Sequence, residues 1–152
     1  MRLSVVFAAC VFVQTATASA QARALREAGH FGVILGAPTG MTIDFHADRA
    51  NRIFVDAGAW SDDLSVNAGW QHRFPGLATL KDQRVSLASH LGAAVHFRFD
   101  KKTVFGVGPV LAQELVIQDS PFSFFVRLIP LIRMAPSVGY NLSFTAGAVF
   151  SF

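Results

Sequence analysis

The chain has 152 residues, 52% of them hydrophobic and only 15% charged, with 15 phenylalanines against one tyrosine. That length suits one domain, and the composition is apolar for a water-soluble one. The net charge is +3, with Arg and Lys scattered and no aromatic-basic cluster, which argues against a nucleic-acid partner.

The first 20 residues read as a secretory signal peptide. Arg2 supplies a short positive region, and Leu3 to Val13 is an apolar core too short to cross a bilayer. Ala18-Ser19-Ala20 then fits a small-x-small cleavage site. The one cysteine, Cys10, lies inside this segment, so the mature chain is expected to have no disulfide and no thiolate metal site. Residues 21–28 form a weakly patterned lead-in, and 29–152 the folded domain.

From residue 29 onward the side chains alternate. Met41, Ile43 and Phe45 oppose Thr42, Asp44 and His46. Leu64, Val66, Ala68 and Trp70 oppose Ser65, Asn67, Gly69, Gln71 and Arg73. Val85, Leu87, Leu91, Ala93, Val95 and Phe97 oppose Arg84, Ser86, His90, Gly92, His96 and Arg98. A side-chain period of two belongs to strands, whereas a helix would mix these sets. Gly, Pro, Asn, Asp and Ser clusters punctuate the pattern and predict eight strands, at 29–36, 40–47, 52–60, 64–74, 84–98, 103–117, 122–134 and 139–152. Pro109 blurs the sixth, where a bulge is expected because proline gives no N–H to a ladder. Links of hairpin length and an even strand count predict an all-β, eight-stranded, antiparallel up-and-down barrel without free edges.

Periodicity alone does not say whether the apolar face points inward, as in a soluble lipocalin-like carrier, or outward to lipid, as in a transmembrane barrel. The opposite face favours the second. It is rich in Gly, Ser and Ala with a few long charged residues, which suits a narrow lumen that side chains can fill. Phe45, Phe54, Trp70, Phe74, Phe97, Phe122, Phe124, Phe150 and Phe152 gather toward strand ends, as in an interfacial aromatic girdle.

The last strand alternates Tyr140, Leu142, Phe144, Phe150 and Phe152, with an aromatic as the final residue. It resembles the outer-membrane β-barrel signature read by the barrel assembly machinery, with Tyr140, Phe150 and Phe152 as the assembly signal. FGVILGAPTGMTIDF (31–45), and FSFFVRLIPLIRMAPS (122–137) with the strand after it, are similar to a family of small, short-loop bacterial outer-membrane barrels of unknown function. Its members open on a Gly-x-x-Leu-Gly-x-Pro-Thr-Gly hairpin and carry a proline in the penultimate strand, here Pro130. The resemblance implies a fold, a location in the bacterial outer membrane, and lipid and the assembly machinery as partners. It supplies no catalytic residue.

On this topology both chain ends face the periplasm, the outward loops are short, and the longest link, Pro75 to Gln83, is periplasmic. The charges of lumen parity are Asp44, His46, Asp56, Arg73, Arg84, His90, His96, Arg98, Arg127 and Arg133. Buried ionisable groups are costly unless paired, so a hydrogen-bonded polar plug is expected rather than an ion path. His30, His46, His90 and His96 share that parity, yet no metal-binding spacing is present and no metal or cofactor is expected. No histidine has a serine two residues later, the pattern of one lipid-modifying barrel enzyme. A cross-strand pair such as Ser65 or Ser86 with His90 is the residual enzymatic possibility. The expected role is structural, within the cell envelope, and not enzymatic.

Overall fold

A computed structural model of the chain describes residues 29–80, 85–100 and 102–152. The expected signal peptide, the lead-in and Arg84 lie outside the described residues. Eight strands follow one another: β1 (Gly29–Gly36), β2 (Thr39–His46), β3 (Asn51–Trp60), β4 (Asp63–Leu80), β5 (Val85–Phe99), β6 (Val104–Ile117), β7 (Phe122–Ala135) and β8 (Gly139–Ser151). Each pairs antiparallel with its sequence neighbour, and β1 pairs with β8 to close the barrel. Closure continues to the chain end, where the Phe152 N–H donates to the Gly29 carbonyl at 3.1 Å.

Local chemistry explains the turns. Ser61 and Asp62 link β3 to β4 with φ of 52° and 71°, the positive values that a two-residue hairpin matched to strand twist requires. At the β2–β3 turn the Asp48 carboxylate accepts from the Asn51 side chain at 2.6 Å, and from the Ala50 and Asn51 N–H groups at 2.8 Å each. Those donors hold its carboxyl below the usual carboxylate range. At the β1–β2 turn Thr39 Oγ1 donates to the Gly36 carbonyl and accepts from its N–H.

Two expectations about strands are corrected. The stretch from Pro75 is not a loop: β4 runs on to Leu80, its pairing with β5 shifting between Phe74 and Ala78. A bulge absorbs the proline there, so the strand does not end at it. At Pro109 the reverse holds. The β6–β7 register is the same before it (Val107 with Ile132) and after it (Leu111 with Leu128), and the irregularity falls at Phe105/Gly106 instead. Constant register puts Pro109 opposite Pro130, and ladder pairing lapses from Gly108 to Val110. Neither proline has an N–H, so the two bonds that a hydrogen-bonded pair exchanges cannot form.

The apolar face points outward. Leu64 is 56% exposed, Phe144 48% and Leu142 54%, whereas Asn67 and Thr145, of opposite parity, are 0% and 1% exposed. Phe31, Phe45, Phe122, Phe124, Phe150 and Phe152 also stand on the outer face near strand ends, whereas Trp70, outward too, is at mid-strand because β4 reaches Leu80. Phe54 does not belong to that set. It has the parity of Arg52 and Asp56 and lies fully buried in the lumen. Glycine makes room for such rings. A Cβ on Gly69, the β4 partner of Phe54, would come within 2.7 Å of the Phe54 ring, and one on Gly147 within 2.8 Å of Phe125.

Candidate functional site

The lumen is stratified. In the layer toward the chain ends, Glu114 of β6 receives four neighbours. Arg52 Nη2 lies 2.8 Å from Oε2, His90 Nε2 3.1 Å from the same oxygen, Ser123 Oγ donates to Oε1 at 2.9 Å, and His30 Nδ1 is 3.9 Å from it. The other side of the Arg52 guanidinium reaches Asp44 at 3.1 Å. Asp44 accepts from Arg127 Nη2 at 3.4 Å, while Arg127 Nη1 is 2.5 Å from Asp56, which also accepts from Thr42 at 2.7 Å. Acid and base therefore alternate without a break from Glu114 through Arg52, Asp44 and Arg127 to Asp56. Each of these side chains is at most 6% exposed. Alternation of this kind makes burial of full charges tolerable.

Arg127 is also gripped between rings, 3.7 Å from the Phe54 centroid and 4.7 Å from that of Phe125. Guanidinium faces stack well on aromatic faces, and burial strengthens the contact. Next comes an apolar layer of Phe54, Ala94, Val110, Ile129 and Leu131. A second polar group lies at the other end, where His96 Nδ1 is 2.7 Å from Asn67 Oδ1. Asn67 Nδ2 donates to Ser143 Oγ at 3.2 Å, and Ser143 Oγ donates to the Ala37 carbonyl. Trp60 packs edge-on against His96, and Arg98 lies over Trp60 while facing Asp63 at 3.6 Å.

Of the expected lumen residues, Asp44, Asp56, His90 and Arg127 join the first network. His96 and Arg98 belong to the second group. His46 meets His30 edge to face with centroids 5.0 Å apart, and Arg73 is half-buried near the first network. Arg133 is corrected. It has lumen parity but sits at the rim, where it donates to the carbonyl and hydroxyl of Ser137. His30 and His90 meet Glu114 and His46 packs on His30, while His96 lies apart with Asn67; among the described residues no group of three His, Cys, Asp or Glu side chains is placed to hold a metal. His90 faces Glu114 rather than a serine, and the hydroxyls of Ser123 and Ser143 are donated to acceptors.

Sequence reasoning missed Arg52 and Glu114, and it placed Asn67 and Thr42 on the lumen face without giving them a part in the network. Arg52 has the even parity of Asp56 on the same strand, so parity alone would have found it. Glu114 was hidden by Pro109, because the lumen set Val110, Ala112 and Glu114 reads clearly only once the strand is known to pass through the proline in register. Comparison with protein-family models, curated proteins and solved structures finds no match to this chain.

Proposed function

We propose that this chain is an integral outer-membrane barrel with a structural role in the envelope, a lumen filled by its own side chains, and no open pore. It reaches the membrane after removal of the signal peptide, is surrounded by outer-membrane lipid and is assembled by the barrel machinery. The observation that carries this reading is the reversal of the usual arrangement, with a belt of exposed phenylalanine, leucine and valine around a charged interior. A soluble carrier would need the opposite, an apolar interior to receive its ligand.

Strands rise about 3.3 Å per residue and tilt near 40° in an eight-stranded barrel, so Ser89 to Phe99 on β5 alone spans about 25 Å along the axis, enough for the apolar band of such barrels. Toward the chain ends polar pairs interrupt the outer face, with Leu87 and Leu115 beyond them. Ser89 and Gln113 bond each other at 2.9 Å, and His72 Nδ1 lies 3.0 Å from Asn51 Oδ1.

Envelope fractionation with detergent titration tests the proposal. The expected outcome is recovery with the outer membrane, dependence on micelles for a monodisperse state, and an electrophoretic band that shifts on heating. A monomer that stays dispersed in plain buffer sinks the proposal in favour of the carrier. A charged residue at Phe152 should depress yield in cells far more than Ser143→Ala.

A further inference from the structure

Three histidines gather around Glu114. His90 Nε2 lies 3.1 Å from Oε2, His30 Nδ1 lies 3.9 Å from Oε1, and His46 packs edge to face on His30. The charged groups that face these rings are Asp44 on β2, Arg52 on β3, Arg73 on β4 and Glu114 on β6. β7 brings Ser123 and, deeper, Arg127, and β8 brings no titratable side chain to this level. With the histidines neutral, Arg52, Arg73 and Arg127 stand against Glu114, Asp44 and Asp56, and the charges balance.

The rings are seated for the neutral form. A carboxylate only accepts, so His90 Nε2 carries the proton that faces Glu114, and Nδ1 of the same ring is a bare acceptor. That Nδ1 and the Nδ1 of His46 are both buried, and among the described residues neither has a hydrogen-bond partner. An imidazolium donates from both nitrogens, so a proton taken up at either position would meet no acceptor. It would also add charge beside a carboxylate that already holds Arg52 at 2.8 Å. Arg52 is the group that spans this end. It reaches from β3 to β6, three strands away around an eight-stranded ring and so nearly opposite.

We propose that Arg52 and Glu114 form an acid-released clasp across the chain-end mouth of the lumen, closed while His46 and His90 are neutral and opened when they are protonated. His46 and Arg73 are half-buried at that mouth, so protons reach the layer from solvent. A protonated His90 competes with Arg52 for the same Glu114 oxygen, and charge on His46 or His30 repels the guanidinium. The apolar layer of Phe54, Val110, Ile129 and Leu131 confines the opening to this end. The clasp goes beyond the structural role above and depends on the lumen alone, not on what surrounds the barrel.

The sign follows from linkage. The unfolded chain takes up a proton at each histidine below about pH 6.5, and the closed clasp has no acceptor for it. The stability involved is therefore full above that value and is lost as pH falls below it. Between about pH 7.5 and about pH 5.5 the unfolding constant should rise roughly tenfold for each of His46 and His90, about a hundredfold together.

The test compares the mature chain with a His46→Gln, His90→Gln variant, both refolded in detergent micelles. Glutamine keeps a donor toward Glu114 and takes no charge, and His96 is common to both proteins. Urea unfolding at the two pH values, read by tryptophan emission, should show the variant losing about a hundredfold of the wild-type rise. NMR exchange of the Arg52 Nε–H with water gives a second readout. This exchange is base-catalysed, so it slows in acid unless the clasp opens, and wild type should instead exchange faster at the lower pH. An equal rise in both proteins overturns the proposal, as does wild-type Arg52 exchange that slows in acid. If the variant does not fold, a wild-type rise below tenfold overturns it. None of these failures touches the membrane reading, which fractionation decides.

Discussion

Replacing Arg127 by methionine probes the lumen where its charges are most tightly coupled. The side chain is 1% exposed, bonds Asp56 at 2.5 Å and Asp44 at 3.4 Å, and lies between the rings of Phe54 and Phe125. Methionine keeps the space between the rings filled, so the main loss is electrostatic. Asp44 retains Arg52 at 3.1 Å, but Asp56 retains only the Thr42 hydroxyl. Leaving one buried charge without its partner costs about 3–5 kcal/mol. Removing both members, as Arg127→Met with Asp56→Leu, leaves no orphan and should recover most of that loss, because apolar replacement of a buried pair is close to neutral or better. A double-mutant cycle should therefore give a favourable coupling of about 3 kcal/mol. Urea unfolding in lipid vesicles, followed by the emission of Trp60 and Trp70, measures it. A single-variant loss below about 1 kcal/mol, or a double variant no more stable than Arg127→Met, would refute the view that Arg127 and Asp56 act as a sealed pair.

Three further outcomes are expected. Gly147→Ala should cost about 1–3 kcal/mol by the same assay, since its Cβ would meet the Phe125 ring at 2.8 Å and the Val33 carbonyl at 2.6 Å; a neutral result would mean that the ring is not seated over the glycine. The double change Pro109→Val with Pro130→Val supplies two missing N–H groups, and should add about 0.5–1.5 kcal/mol per bond formed and give slowly exchanging amides at positions 109 and 130 themselves; fast exchange at both new amides would count against the opposed-proline pairing. For Asp48 the folded carboxyl titrates low because the Asn51 side chain and the Ala50 and Asn51 N–H groups donate to it. Its contribution to the turn is thus full above the unfolded value near 4 and is lost as pH falls through the lower folded midpoint. Carbon NMR of the carboxyl reads that midpoint directly, and a value at or above about 4 would contradict the turn geometry.

Most of the barrel was legible because one signal, a side-chain period of two, governs nearly all of it. Strand count, order and the outward direction of Leu64, Val66 and Phe144 follow from alternation together with the chemistry of the opposite face. What stayed hidden is what alternation does not encode. Parity assigns Arg133 to the lumen but not to a depth, so its position at the rim beside Ser137 was invisible. Phe54 reads as an aromatic near a strand end, and only the absence of a side chain on the adjacent Gly69 gives its ring a place inside. Proline is ambiguous in the same way. At Pro75 the ladder bends around it, while at Pro109 it stays in register and loses bonds, and the difference lies in the facing strand: β5 offers a register shift, and β7 offers another proline.

The order of the layers bears on whether such a lumen can pass ions. Glu114, Asp44 and Asp56 supply three carboxylates, against the guanidinium groups of Arg52 and Arg127 and the nearby Arg73, so the first network is close to balanced and has no surplus charge to attract a permeant ion. An ion leaving it toward the other end would next meet Phe54, Val110, Ile129 and Leu131, each at most 2% exposed. Crossing that layer without water or partners would cost far more than the ion could gain from His96 and Asn67 beyond it. Eight strands leave space only for side chains. Here that space holds a charged layer, an apolar layer and a polar layer in series, and a path would need all three to rearrange together. The same stacking fits the scarcity of Lys and Glu on the strands: Arg52, Glu114 and Arg127 lie inside and neutralise one another, while Arg49, Lys102 and Arg133 sit at turns and rim.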